Sequence, residues 1–180
     1  MDRRKFLTAA LALVPSMSLA HSPWGQFQVY RQKHLLILCS RDGGESYSYS
    51  KLLAIALNRE QPSAKARPAR AVNSVRLYDL MRTKQFTFAL IEDSQFKEIR
   101  QLDAKNVDSK YRWDVKSIYS FKDMRLVVQS DFDEQLVRIV THAVAESSVW
   151  LPDAHSAEKV MELSDLHPAA KEALELYIKT

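Results

Sequence analysis

The sequence predicts an α/β fold, and three observations between residues 34 and 94 carry that prediction. Short apolar runs (LLILCS, FTFALI) alternate with amphipathic ones (SYSYSKLLAIALNRE, SVRLYDLMRTK), which reads as strand, helix, strand, helix, strand. Gly43 and Gly44, two of only three glycines, stand at the first strand-to-helix turn. The third strand ends in Glu92, Asp93 and Ser94, and polar groups at the carboxyl ends of parallel strands are where open α/β sheets bind ligands.

The opening MDRRKFLTAALALVPSMSLA has a basic start (Arg3, Arg4, Lys5), an apolar run from Phe6 to Val14 and small residues at Ser18 and Ala20. Residues 1–20 therefore read as an export signal cleaved between Ala20 and His21. The apolar run is shorter than the roughly 20 residues a membrane span needs. Arg3 and Arg4, followed by Phe6 and Leu7, resemble the twin-arginine consensus; a Sec signal with an accidental arginine pair is the alternative. Either route predicts a periplasmic protein.

Residues 21–180 are enough for one domain with a real core. The signal holds three of the 26 basic and one of the 22 acidic residues, leaving 23 against 21. A mature chain so close to neutral argues for neither nucleic acid nor membrane binding. Cys39 is the single cysteine, so no intrachain disulfide forms, and its place at the end of LLILC predicts burial. The five histidines show no HxH or HxxxH pair, and no metal or other cofactor is expected.

After the lead-in HSPWGQFQVYRQK, a first strand is expected over 34–40 and a helix over 47–59, with Leu52, Leu53, Ala56 and Leu57 on one stripe. Ser46 or Ser48 is the expected cap. The Gly43–Gly44 turn admits two readings, a tight turn needing positive φ or a cradle for a carboxylate at the helix start; Asp42 and Glu45 beside it read as surface acids. A weak second strand is expected over 64–72. The bases Lys65, Arg67, Arg70, Arg76, Arg82 and Lys84 form either a solvated edge or a receiver for an acidic partner.

Asn73 or Ser74 caps a second helix over 75–83, and the third strand runs over 86–91. Residues 95–114 are charged and read as irregular or partly helical. VKSIYSFKDMRLVVQS gives one or two strands, DEQLVRIVTHAVAE a helix, and 157–163 another. The last helix opens at Pro168, its start fixed by His167.

Taken together, these segments resemble the TAXI family, the periplasmic solute-binding proteins of TRAP transporters. In that family a strand leads to GG-x-YY and then A-x-L-N, matched here by Gly43, Gly44, Tyr47, Ala54 and Asn58. Ser74 matches the serine of the next motif, and ALIEDS is similar to its A-I-V-Q-S-D. SIYSFKDMRLVVQSD resembles the segment crossing between lobes, and DEQLVRIVTHAVAE and LHPAAKEALE are similar to the closing motifs.

The resemblance implies a type II periplasmic binding fold, a mainly parallel sheet flanked by helices, shortened to a single lobe. Ser130 leads almost directly to Asp133 where the family has a whole second lobe. The motifs also depart locally: Ser46 stands for a tyrosine, Ala71 to Asn73 for glycines, Leu77 for an asparagine and Lys84 for a glycine.

Two function classes follow, with no catalytic constellation to support an enzyme. The first is a non-catalytic periplasmic accessory protein that docks on a larger partner, such as a redox enzyme or a transport complex. The second is a binder of a small carboxylate or amino acid. The expected ligand- or partner-binding residues are Gly43, Gly44, Tyr47, Tyr49, Arg70, Ser74, Arg76, Glu92 and Asp93. In the solute reading the Gly43–Gly44 turn, Tyr47 and Ser74 hold the carboxylate, with Arg70 or Arg76 as counter-charge.

Overall fold

Apolar residues alternate along each central strand, and the two sets face opposite ways. The structure, a computed structural model, describes residues 33–42, 44–105 and 112–180; the stretch expected as an export signal, Trp24 of the lead-in, and Gly43 lie outside them. Strands β1 (Leu36–Ser40), β2 (Arg67–Ala71), β3 (Phe88–Glu92), β4 (Val115–Phe121) and β5 (Met124–Gln129) form one sheet in the order β2-β1-β3-β5-β4. Ile37, Phe88, Leu90, Leu126 and Val128 enter one apolar cluster, whereas Leu36, Leu38, Ala89, Ile91 and Val127 enter another.

Helices cover both faces. The first cluster is closed by α1 (Ser46–Glu60), α4 (Glu134–Ser147), α5 (Ala157–Met161) and α6 (Pro168–Lys179), and the second by α2 (Ser74–Arg82) and α3 (Asp93–Lys105). The segment Leu35–Thr180 is one compact unit. No helix among the described residues is long and apolar enough to cross a membrane.

The α/β class is therefore as expected, but the sheet is mixed rather than mainly parallel in its pairing. β1 pairs parallel with β2 and β3, while β5 pairs antiparallel with both β3 and β4. The cause is local: FKDM makes a tight connection at Lys122 and Asp123, so β5 must return against β4, and it inserts beside β3. Such an α/β sheet is compatible with a single-lobe fold.

Both sheet edges are managed. β2 carries Pro68, which has no N–H to give and so belongs on an edge. β4 is covered by bridges to Leu166 and Ala154. Asn58 ties α1 to the start of β2 by donating from Nδ2 to the Ala66 carbonyl at 2.9 Å and accepting the Ala66 N–H at 2.6 Å.

Two local expectations change and one is made definite. No side chain caps α1; Ser46 is buried within its first turn, and Glu45 holds the cap position without a side-chain hydrogen bond. The stretch read as irregular or partly helical is helical up to Lys105, because Phe96 and Ile99 bury against the sheet. Leu52 leaves the buried stripe: Leu53, Ala56 and Leu57 face the core, while Leu52 is 39% exposed.

Other expectations hold. Asn73 accepts the Arg76 N–H at 2.8 Å and caps α2. His167 caps α6 through Nδ1, which accepts the Ala169 N–H at 3.2 Å, while Nε2 lies 3.3 Å from the Ser130 carbonyl. A single tautomer, with its proton on Nε2, uses both ring nitrogens. Cys39 is fully buried, its thiol donating to the Ala69 carbonyl at 3.2 Å, and burial pushes its pKa up.

Lys84, which stands where the resemblance expects glycine, has φ +55°, a left-handed conformation costly to a side chain. Its ammonium pairs with Asp131.

Candidate functional site

The order β2-β1-β3 sends the chain from β1 first to one neighbour and then to the other. α1 follows β1 on one face of the sheet and α2 follows β2 on the opposite face, so a switch point falls between β1 and β3 at their carboxyl ends. Two features occupy this edge, a hydrogen-bonded carboxylate cluster and an open cleft.

The cluster is built by Asp42. Its carboxylate accepts the Ser74 N–H at 3.1 Å and the Ser74 hydroxyl at 3.0 Å, and it also accepts the Ser40 hydroxyl. Gln95, 7% exposed, reaches across from α3 with Nε2 at 2.8 Å from Ser40 Oγ, 2.9 Å from Ser74 Oγ and 3.2 Å from Asp42 Oδ1. Each serine accepts from Gln95 and donates its own O–H to Asp42. Gln95 Oε1 is left without a partner.

This arrangement puts an acidic side chain of the protein at the positive start of α2, the place a bound anion would take. Burial pulls the Asp42 pKa up, but the hydrogen bonds from Ser40 and Ser74 outweigh it and hold the carboxyl below its ordinary value. A lowered folded pKa means that the unfolded chain binds the proton more readily. The stabilisation is thus complete above the ordinary aspartate range and lost as pH falls through the lowered value. Asp42→Ala should cost about 1–2 kcal/mol, as loss of a helix-capping carboxylate does. Chemical denaturation at pH 7 and in acid checks this, and the gap between wild type and variant should close in acid.

The cleft lies beside it, with a volume of about 600 Å³. Its walls come from the start of α1 (Gly44, Glu45, Ser48, Tyr49, Leu52), the end of β3 (Glu92), the β4–β5 turn (Lys122, Asp123, Met124) and the turn at Pro152 and Asp153. Tyr49 is floor rather than surface: it is 6% exposed, donates its hydroxyl to the Pro152 carbonyl at 2.6 Å and packs 4.8 Å from the Phe121 ring. Burial, reinforced by nearby Asp153, pushes its phenol well above the usual range, so it stays protonated.

Gly44 has φ +36°, and a Cβ there would lie 2.7 Å from Glu92 Oε1. The tight-turn reading of this glycine is the one its geometry favours.

The sequence-predicted residues therefore divide. Gly44, Tyr49 and Glu92 meet at the cleft. Tyr47 and Arg70 meet each other instead, the guanidinium 4.4 Å from the ring centroid, with Lys51 at 4.5 Å. Ser74 is buried in the Asp42 cluster, and the Asp93 carboxylate accepts Arg125 Nε at 2.6 Å. Arg76 is exposed on α2, outside the cleft lining. Gly43 lies outside the described residues. The proposed carboxylate holders are thus not assembled into one site: Ser74 is committed to Asp42, and Arg70 to Tyr47.

Sequence reasoning missed Gln95, Asp123, Asp153 and the pair Arg125–Asp165. Only Asp123 had a signal, since FKDM between two alternating apolar runs marks a hairpin turn. An exposed apolar band also went unread. Leu52 on the cleft wall is followed one turn later by Ile55, 61% exposed, and then by Arg59, whose guanidinium lies 5.8 Å from the Trp150 ring.

No protein-family model, no curated protein and no solved structure matches the chain.

Proposed function

We propose that this is a non-catalytic periplasmic accessory protein, derived from one lobe of a TAXI-type solute-binding protein, which docks on a larger periplasmic partner. The observation that carries the reading is the exposed pair Leu52 and Ile55, one turn apart on α1, with Leu52 on the cleft wall at the sheet's carboxyl edge. Single exposed apolar residues are ordinary, but two aliphatic side chains on one helix face, followed by Arg59 against the Trp150 ring, match the composition of a protein contact. A redox enzyme or a transport complex is the kind of partner in view. The arginine pair in the N-terminal signal motivates the first, and the family resemblance the second.

The carboxylate-solute reading has less support. The chain's own Asp42 takes the start of α2, and the cleft walls bring four further acids, Glu45, Glu92, Asp123 and Asp153. A carboxylate solute entering there would meet like charge.

Tagged protein purified from native periplasm under gentle conditions should carry a stoichiometric partner, and Ile55→Asp should release it. Elution alone at its own mass, with wild type and Ile55→Asp alike, would count against docking.

A further inference from the structure

We infer that the docking partner presents a cationic segment, with a lysine or arginine side chain seated in the acid-rimmed cleft and an apolar neighbour laid on Leu52. The inference rests on the docking reading and names the chemistry of the partner. Four carboxylates, those of Glu45, Glu92, Asp123 and Asp153, line one cleft with Lys122 as its single basic residue. None of the four forms an ion pair among the described residues.

Elsewhere several acids have ionic partners: Asp93 and Asp165 take Arg125, Asp131 takes Lys84, and Glu134 and Glu172 take Arg138. At the cleft, four carboxylates gather against one lysine.

The floor beneath these acids is apolar. Tyr49 is buried with its hydroxyl already engaged, and Met124, Pro152 and Leu52 are the other large apolar residues of the lining. A volume of about 600 Å³ falls within the range of ~300–1,000 Å³ typical of ligand sites, which is room for a few side chains. An aliphatic stem capped by a cation suits such a place, since the stem packs on the floor and the charge remains among the carboxylates. The exposed Leu52–Ile55 flank continues the apolar surface out of the cleft, which favours a peptide segment over a small free cation.

The test is a titration of the folded protein with the peptide Lys-Leu-Lys-Leu-Lys, with Glu-Leu-Glu-Leu-Glu and 1,4-diaminobutane as comparisons. Backbone amide shifts report where each probe binds. The lysine peptide should bind at least about tenfold more tightly than either comparison, weaken with added salt, and shift residues 44–52 and 122–124. Glu45→Gln/Asp123→Asn, at two exposed positions, should weaken it about tenfold or more. Glu162→Gln, outside the cleft, should not.

Equal binding of the acidic peptide, an unchanged affinity in the double variant, or no binding at all overturns the inference. Equal binding of the diamine overturns it in favour of a small-cation site. Should the lysine peptide fail while a stoichiometric partner is still released by Ile55→Asp, the cationic assignment is wrong and the docking reading stands. A chain with no partner under any gentle condition removes both.

Discussion

Phe121→Ala is expected to cost about 3–5 kcal/mol of folding stability, the range for deleting a fully buried aromatic side chain. Phe121 is completely buried at the end of β4, with ring centroids 4.8 Å from Tyr49 and 5.3 Å from Tyr119. Both tyrosines use their hydroxyls to hold loops, Tyr49 on the Pro152 carbonyl and Tyr119 on the His155 carbonyl at 2.8 Å. Burial pushes the Tyr119 phenol up to about 12, so neither ionises near neutral pH.

Removing the ring between them opens a cavity under the cleft floor and frees the turn that carries Pro152 and Asp153. Urea denaturation measures the loss, and Phe121→Leu should recover about half of it. A cost below about 1 kcal/mol would mean that the floor is not packed as described.

Arg125→Met should cost about 2–4 kcal/mol, through an acid left without its partner. Arg125 on β5 donates from Nε to Asp93 at 2.6 Å and from Nη1 to Asp165 at 3.1 Å. The Asp165 side chain is only 8% exposed and also accepts the Ser117 hydroxyl at 2.9 Å, while Arg100 stands 3.7 Å away. Without Arg125 that buried charge keeps one hydroxyl and one distant cation. The Arg125 side chain is itself 23% exposed, so the lower part of the range applies if water reaches the gap.

The double variant Arg125→Met/Asp165→Leu distinguishes the cause. It should recover most of the loss, because an apolar pair replaces an orphaned charge. Equal loss in single and double variants would place the effect in the packing of the substituted side chain instead.

The alternation of strands and helices from 34 to 92 was legible because apolar periodicity is a local property. LLILC and FALI are buried on both faces, and α1 and α2 show helical spacing. Long-range pairing was not legible. Nothing near MRLVVQ says that it inserts between β3 and β4, and the mixed sheet follows from that one placement.

The site was read less well for the same reason. Tyr49 was expected among the binding residues, yet it is buried and its hydroxyl partner is Pro152, over a hundred residues away in sequence. Ser74 looked like a ligand holder until Asp42, 32 residues earlier, was seen to fill the place. Helical stripes drawn on α1 also misassigned Leu52, since one position of rotation decides between core and cleft.

Docking through the α1 edge is the central claim, and site-specific photo-crosslinking in the native host cell tests it most directly. A photoreactive residue is placed at Ile55 in one strain and at Leu176, 63% exposed on α6, in another. The account predicts one dominant adduct of defined mass from position 55, lost with Trp150→Ala, and none of that mass from position 176. An adduct from position 176 with none from position 55 would contradict it.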